Sequence, residues 1–186
     1  MSRPPAARRR LAGFTLIELL VVLVIIGVVI GATLLSFGGR GRDSQLEQER
    51  DRLAALIGYV RERAALQTVE YGLRCEQGGF RFVMYDTRKS LWVEDPLDDA
   101  LRARALPAGL GIALSVEDRP IILPARTDPA KRDAVADLTP QVMLFSSGEL
   151  TRFKLTLTRS AAGRTAILTG TPAGKVDAGP IVEQPT

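Results

Sequence analysis

From Phe14 to Phe37 the chain reads FTLIELLVVLVIIGVVIGATLLSF, 24 residues whose only charge is Glu18. As an α-helix rising ~1.5 Å per residue the run reaches ~36 Å, against a bilayer hydrocarbon core of ~30 Å. A cleaved secretory signal has an apolar region of ~7–15 residues ending at an A-x-A-like site. This run is longer and no such site follows it, so it predicts a span that stays on the protein. Of the 25 basic residues, Arg3, Arg8, Arg9 and Arg10 precede the run, and the 21 that follow equal the 21 acidic residues of the chain. The net charge of +4 therefore belongs to the leader. Arginines just ahead of an apolar span place the N-terminus in the cytoplasm.

Glu18 does not suit a simple anchor. A carboxylate inside a membrane costs a few kcal/mol at mid-depth, and such groups usually have a partner. The nearest cations, Arg8 to Arg10, lie outside the run. Two readings stand: a carboxylate that reaches the headgroups or is protonated, or one whose partner is created later by cutting the chain. Gly27 and Gly31 form a G-x-x-x-G spacing that permits close helix contact but is common by chance in apolar helices.

Few catalytic chemistries remain open to this composition. The chain has no His, which removes Ser-His and Cys-His nucleophiles and the commonest metal ligand. Cys75 is the single cysteine, so no disulfide can form within the chain, and its place in an alternating pattern predicts a buried side chain. Asp98 and Asp99 are adjacent and read as a solvated turn; with Asp95 they form a weak candidate for a hard-cation site. Gly109 and Gly111 open no phosphate-binding pattern. The expectation is no catalytic residue, no cofactor and no metal.

After the apolar run, Gly38, Gly39 and Gly41 predict a joint over 38–43. Leu46, Leu53, Ile57, Val60 and Ala64 then recur at helical spacing, predicting an amphipathic helix over 44–67 with Asp43 or Ser44 at its cap. Residues 68–170 read as β. Tyr71, Leu73 and Cys75 alternate with polar neighbours, as do Phe80, Phe82 and Met84 after a Gln77-Gly78-Gly79 turn. Further strands are expected at Trp92–Val93, Ile112–Val116, Ile121–Leu123, and within QVMLF, TRFKLTLT and TAILTG. A short helical turn or loop is expected in DPLDDALRARALP, and an exposed loop over 124–140. The tail 171–186, rich in Pro and Gly, is expected to fray.

GFTLIELLVVLVIIGVV, Gly13 to Val29, resembles the class III signal of type IV pilins and type II secretion pseudopilins: a basic leader ending in Gly, then Phe-Thr-Leu-hydrophobic-Glu, then an apolar helix. The resemblance implies that a prepilin peptidase removes residues 1–13 by cutting between Gly13 and Phe14, and that Phe14 is then N-methylated. It also implies that the 14–37 helix becomes a packing element of a filament. Cleavage gives Phe14 a charged amine, which Glu18 of a neighbouring subunit can meet; such pairs are best attested in setting register.

A second stretch, FSSGELTRFKLTL from Phe145 to Leu157, is similar to the C-terminal signature of the H-type minor pseudopilins of type II secretion. Gly148, Glu149 and Phe153 match it, and Arg152 stands where that family often has Pro. This resemblance implies an α+β pilin-like fold, a long N-terminal helix on an antiparallel β-sheet or sandwich. It implies inner-membrane anchoring with a periplasmic domain, and partners among the other minor pseudopilins, the major pseudopilin and, in passing, an exoprotein. The calcium loop of the major pseudopilin fits less well, since only Asp177 and Glu183 follow Glu149 as acids. Two other functions compete. A DNA-binding minor pilin requires a basic surface, which the neutral chain after Leu11 does not predict, so no nucleic-acid partner is expected. A membrane-anchored enzyme requires a catalytic constellation that the residues do not supply.

Overall fold

The computed structural model describes residues 16–126 and 138–183, with the side chains of 31–43 outside that description. The leader 1–13, the Gly13–Phe14 pair, the middle of the 124–140 loop and the last three positions therefore fall outside it. Two compact units divide at Arg42 and Asp43. Helix α1, Leu16–Gln67, contributes to both. Its backbone remains helical through 38–43, where the glycines predict a joint. A glycine costs a helix ~1 kcal/mol relative to Ala but keeps the N–H that proline would lose, so it weakens the hydrogen-bond ladder without interrupting it.

In the first unit the side chains of Leu16–Ile30 are exposed on every face of the helix. Among the described residues no helix is long and apolar enough to cross a membrane. The stretch with described side chains reaches only ~22 Å at ~1.5 Å per residue, and the rest of the expected 14–37 span lies outside it.

The second unit is built on the other half of α1. Leu46, Leu53, Ile57, Val60 and Ala64, the predicted stripe, are all buried. They join one apolar cluster with both sheets, including Tyr71, Leu73 and Phe82 from one and Leu155, Leu157 and Leu168 from the other. The first sheet contains β1 (Tyr71–Glu76), β2 (Gly79–Asp86), β3 (Leu91–Val93), β4 (Arg104–Ala105) and β7 (Val142–Leu144), ordered β3-β2-β1-β7 with β4 also on β2. The second contains β5 (Leu110–Val116), β6 (Arg119–Ile121), β8 (Phe153–Arg159), β9 (Arg164–Gly170), β10 (Val176–Ala178) and β11 (Val182–Glu183). Its order is β10-β9-β8-β5-β6, with β11 also on β9. Every described pairing is antiparallel.

The β1–β2 hairpin is one residue tighter than its sequence suggests. Glu76 pairs with Gly79, so the loop is Gln77-Gly78 alone, with Gly78 at φ 74°. Gly79 belongs to β2 because β4 crosses beside it; a Cβ there would strike the Arg104 carbonyl. DPLDDALRARALP forms a 3₁₀ turn, Asp99–Leu101, and then β4.

Two expectations need correction. The strand placed at Ile121–Leu123 lies at Arg119–Ile121, because Glu117 and Asp118 take left-handed conformations (φ 48° and 63°) and close a two-residue hairpin loop. That geometry normally calls for Asn or Gly, so the sequence hides it. Leu123 is buried outside any strand.

The second correction concerns the tail. Residues 171–183 are ordered: after a Thr171–Lys175 turn, Val176 pairs with Gly170, and Val182 pairs with Thr165. Here Pro and Gly shape turns between two short edge strands. Ending the chain after Gly170 strips β9 of β10 and β11, leaving it β8 alone. At a net ~0.5–1.5 kcal/mol per hydrogen bond, the loss is expected to be about 2–3 kcal/mol. Urea unfolding of the full and shortened chains in the same neutral detergent measures it, and an unchanged midpoint contradicts it.

Candidate functional site

The N-terminal segment presents one carboxylate in an apolar sleeve. Glu18 lies in the first described turn of α1. It is exposed, and so are its neighbours: Leu16, Ile17, Leu19 and Leu20 keep 55–83% of their surface accessible. An all-round apolar helix of this kind is stable only when lipid or other helices cover it. Gly13 and Phe14 lie outside the described residues.

The three signature residues of the β domain do different jobs. Gly148, at φ 90°, closes a turn in which its N–H donates to the Phe145 carbonyl at 2.9 Å. The same turn is anchored by Glu70, whose carboxylate accepts from the Ser146 N–H at 3.0 Å and its hydroxyl at 2.7 Å. Glu149 is exposed; its carboxylate accepts from the Ser147 hydroxyl at 3.4 Å, and its backbone carbonyl accepts from the Phe145 N–H at 2.9 Å. Phe153 is buried, with its ring filling the space that a side chain at Gly170 would occupy. Arg152 uses a donor that proline lacks: its backbone N–H bonds Glu117 Oε1 at 3.2 Å. The three positions are thus a turn, an exposed acid and a core anchor.

The weak cation candidate resolves into an ion network that sequence reasoning missed. Asp95, 6% exposed, accepts from Arg63 Nη2 at 2.9 Å, the Tyr71 hydroxyl at 3.0 Å and the Leu97 N–H at 2.9 Å. Asp98 accepts from the Tyr59 hydroxyl at 2.7 Å, Arg63 Nη1 at 3.1 Å and the Ala100 N–H at 2.9 Å. Asp99 faces Arg102 at 2.7 Å. Arg63 thereby ties α1 to β1 and to the 95–98 loop. The Tyr59 hydroxyl, with the Ala100 N–H and Arg63, holds the Asp98 carboxyl below its ordinary value. Burial pushes the Tyr71 phenol up. The Tyr71 hydroxyl bond leads the causes that raise Arg63. No local pattern announces this network, since its members come from a helix, a strand and a loop.

Cys75 is fully buried, and burial pushes its thiol up to about 12. Two cavities, one lined by Tyr59, Arg63 and Gln67 and the other by Asp118, Phe153 and Pro172, measure about 210 and 270 Å³ and fall below the ~300–1,000 Å³ usual for small-molecule sites. Among the described residues no three potential ligands converge as a metal site would need.

Residues 8–34 match the family model of the prokaryotic N-terminal methylation motif. The chain is 37% identical over 157 residues to the type II secretion system protein H of Pseudomonas aeruginosa, covering 84% of this chain and 88% of that one. It is 31% identical over 152 residues to the protein of the same name from Aeromonas hydrophila, covering 82% and 83%. Among solved structures it is similar to the minor pseudopilin EpsH from the type II secretion system of Vibrio cholerae. There the TM-score is 0.60 at 16% identity, over 73% of this chain and 96% of that one. The solution structure of Escherichia coli GspH gives a TM-score of 0.54 at 17% identity, over 73% and 88%. At such identities the structures speak for the α+β pilin-like fold, which this chain shares.

Proposed function

Because the chain belongs to the type II secretion system protein H family, we propose that it is a minor pseudopilin, a structural subunit near the tip of the periplasmic pseudopilus that helps export folded proteins across the outer membrane. The observation that carries this is the 37% identity along 84% of the chain, joined to the methylation motif at residues 8–34.

On this reading the arginine-bearing leader lies in the cytoplasm, and the 14–37 helix crosses the inner membrane. The β domain stands in the periplasm. Prepilin peptidase cuts between Gly13 and Phe14, and Phe14 is methylated. Glu18 then faces the new amine on a neighbouring subunit and sets the stagger of helices in the filament. Other minor pseudopilins and the major pseudopilin supply the covering surface that Leu16–Ile30 lacks. The chain performs no chemistry of its own here; it is the substrate of its processing enzyme.

Deleting the gene is expected to stop export of the secreted proteins, with the full chain restoring it, and the mature protein is expected to begin at methylated Phe14. Export that continues without the gene overturns the role. Mature material that begins at Met1 in peptidase-proficient cells overturns the maturation scheme.

A further inference from the structure

Along β8 the residues Phe153, Leu155, Leu157 and Arg159 share the inward face, with exposures of 2%, 0%, 0% and 6%. The last of these is a guanidinium at a core-facing position. Arginine stays charged at any pH a protein survives, so it cannot neutralise itself as a buried lysine can. Burying a charge costs several kcal/mol unless counter-charge and hydrogen bonds compensate.

Two other largely buried arginines of the domain are compensated in this way. Arg81 reaches Glu94 at 2.8 Å and Glu76 at 2.9 Å, and Arg63 reaches Asp95 at 2.9 Å and Asp98 at 3.1 Å. Arg159 differs in its counter-charge. Its Nη2 donates to the neutral amide oxygen of Gln45 at 3.0 Å, and no carboxylate among the described side chains lies within ion-pair distance; its Nε lacks an acceptor, as does that of Arg81. Its ladder neighbours give no help: Leu110 is apolar, and Arg164 is itself a cation turned to Glu183 at 2.9 Å. Nη1 stands beside the exposed Gly109, close enough that an added Cβ there would touch it at 3.7 Å. Gln45 takes one Nη2 hydrogen, which leaves the other Nη2 hydrogen and the Nη1 donors of a guanidinium fork, a group suited to oxyanions.

We propose that Arg159, with Gln45 and the exposed Gly109 beside it, is a phosphate-binding site. The phosphate can come from a lipid headgroup or from free inorganic phosphate. Gln45 follows closely in the chain on the apolar run that ends at Phe37. The lipid source therefore rests on the membrane reading above, while the free-phosphate source does not.

The test uses the full chain in uncharged maltoside micelles. Its thermal midpoint is followed as inorganic phosphate replaces chloride at constant ionic strength. A parallel series adds phosphatidylglycerol, with diacylglycerol as the phosphate-free control. A ligand held only by the folded state raises the midpoint by mass action, and a rise of about 3 °C or more is expected in at least one series. A response to inorganic phosphate identifies free anion, and a response to phosphatidylglycerol alone identifies the headgroup. Arg159→Gln is expected to remove the response. Gln45→Glu, which supplies a resident carboxylate, is expected to raise the midpoint without ligand and to abolish the response. Three results each overturn the site: no rise in either series, an equal rise in Arg159→Gln, or a lower midpoint in Gln45→Glu. None of them bears on export, which the gene-deletion assay reads separately.

Discussion

A chain carrying Glu18→Ala is expected to be inserted and cut as the natural chain is, yet to co-purify with its fellow subunits at least tenfold less. Insertion cannot suffer, because removing a carboxylate from an apolar helix makes the helix a better membrane segment. On the proposed pairing, assembly suffers because the amine on the neighbouring Phe14 is left in a dry helix bundle without its acid. Breaking one side of a buried charge pair costs ~3–5 kcal/mol, whereas a tenfold loss of association needs only ~1.4 kcal/mol. The effect should therefore exceed the detection limit even if water or lipid recovers half of the cost. Glu18→Gln keeps a hydrogen-bonding oxygen and should fall between the two. Glu18 is the only acid among the exposed residues Leu16–Ile30. Normal incorporation of Glu18→Ala would sink the pairing role and leave only a carboxylate that tolerates its place.

How far the sequence was legible depends on the range of the interactions involved. The α1 stripe from Leu46 to Ala64 and the β1–β2 hairpin follow from periodicity and a glycine turn, both local signals, and both are present. Local composition misled at the C-terminus. Pro and Gly after Gly170 signal an absence of regular structure, but what fixes residues 176–183 is the open edge of β9, which no window of sequence reveals. The β5–β6 turn was hidden for a related reason: Glu117 and Asp118 hold left-handed conformations that their residue types disfavour. Asp95 and Asp98 were legible as acids near one another and illegible as partners of Arg63, 32 and 35 residues away. For the candidate site the balance is reversed. Gly13, Phe14 and Glu18 are read from a motif whose meaning is chemical processing, and a folded chain adds only the setting of Glu18.

Arg63→Ala is expected to cost about 3 kcal/mol of domain stability, read as a lower urea midpoint at pH 7. The substitution leaves Asp95 buried with two neutral donors, the Tyr71 hydroxyl and the Leu97 N–H, in place of a cation 2.9 Å away. Loss of one partner from a buried pair costs ~3–5 kcal/mol; the low end applies because Arg63 keeps 19% of its side-chain surface in contact with water. Adding Asp95→Asn to Arg63→Ala removes the stranded charge, so the double variant should be more stable than the sum of the single losses implies. The acid dependence follows from the same geometry. The Asp98 carboxyl titrates below its unfolded value, chiefly because of the Tyr59 hydroxyl, so it adds stability above the ordinary carboxylate range near pH ~4. That contribution disappears as pH falls through the folded value. Without Arg63 the folded value rises toward the ordinary one, and the acid limb should become shallower as well as lower. At the other end burial raises the Tyr71 phenol, so its contribution is complete below pH ~10 and is lost as pH climbs through the folded value. An Arg63→Ala domain with an unchanged midpoint and an unchanged acid limb would mean that the loop 95–98 is held to α1 by packing alone, with the charges as passengers.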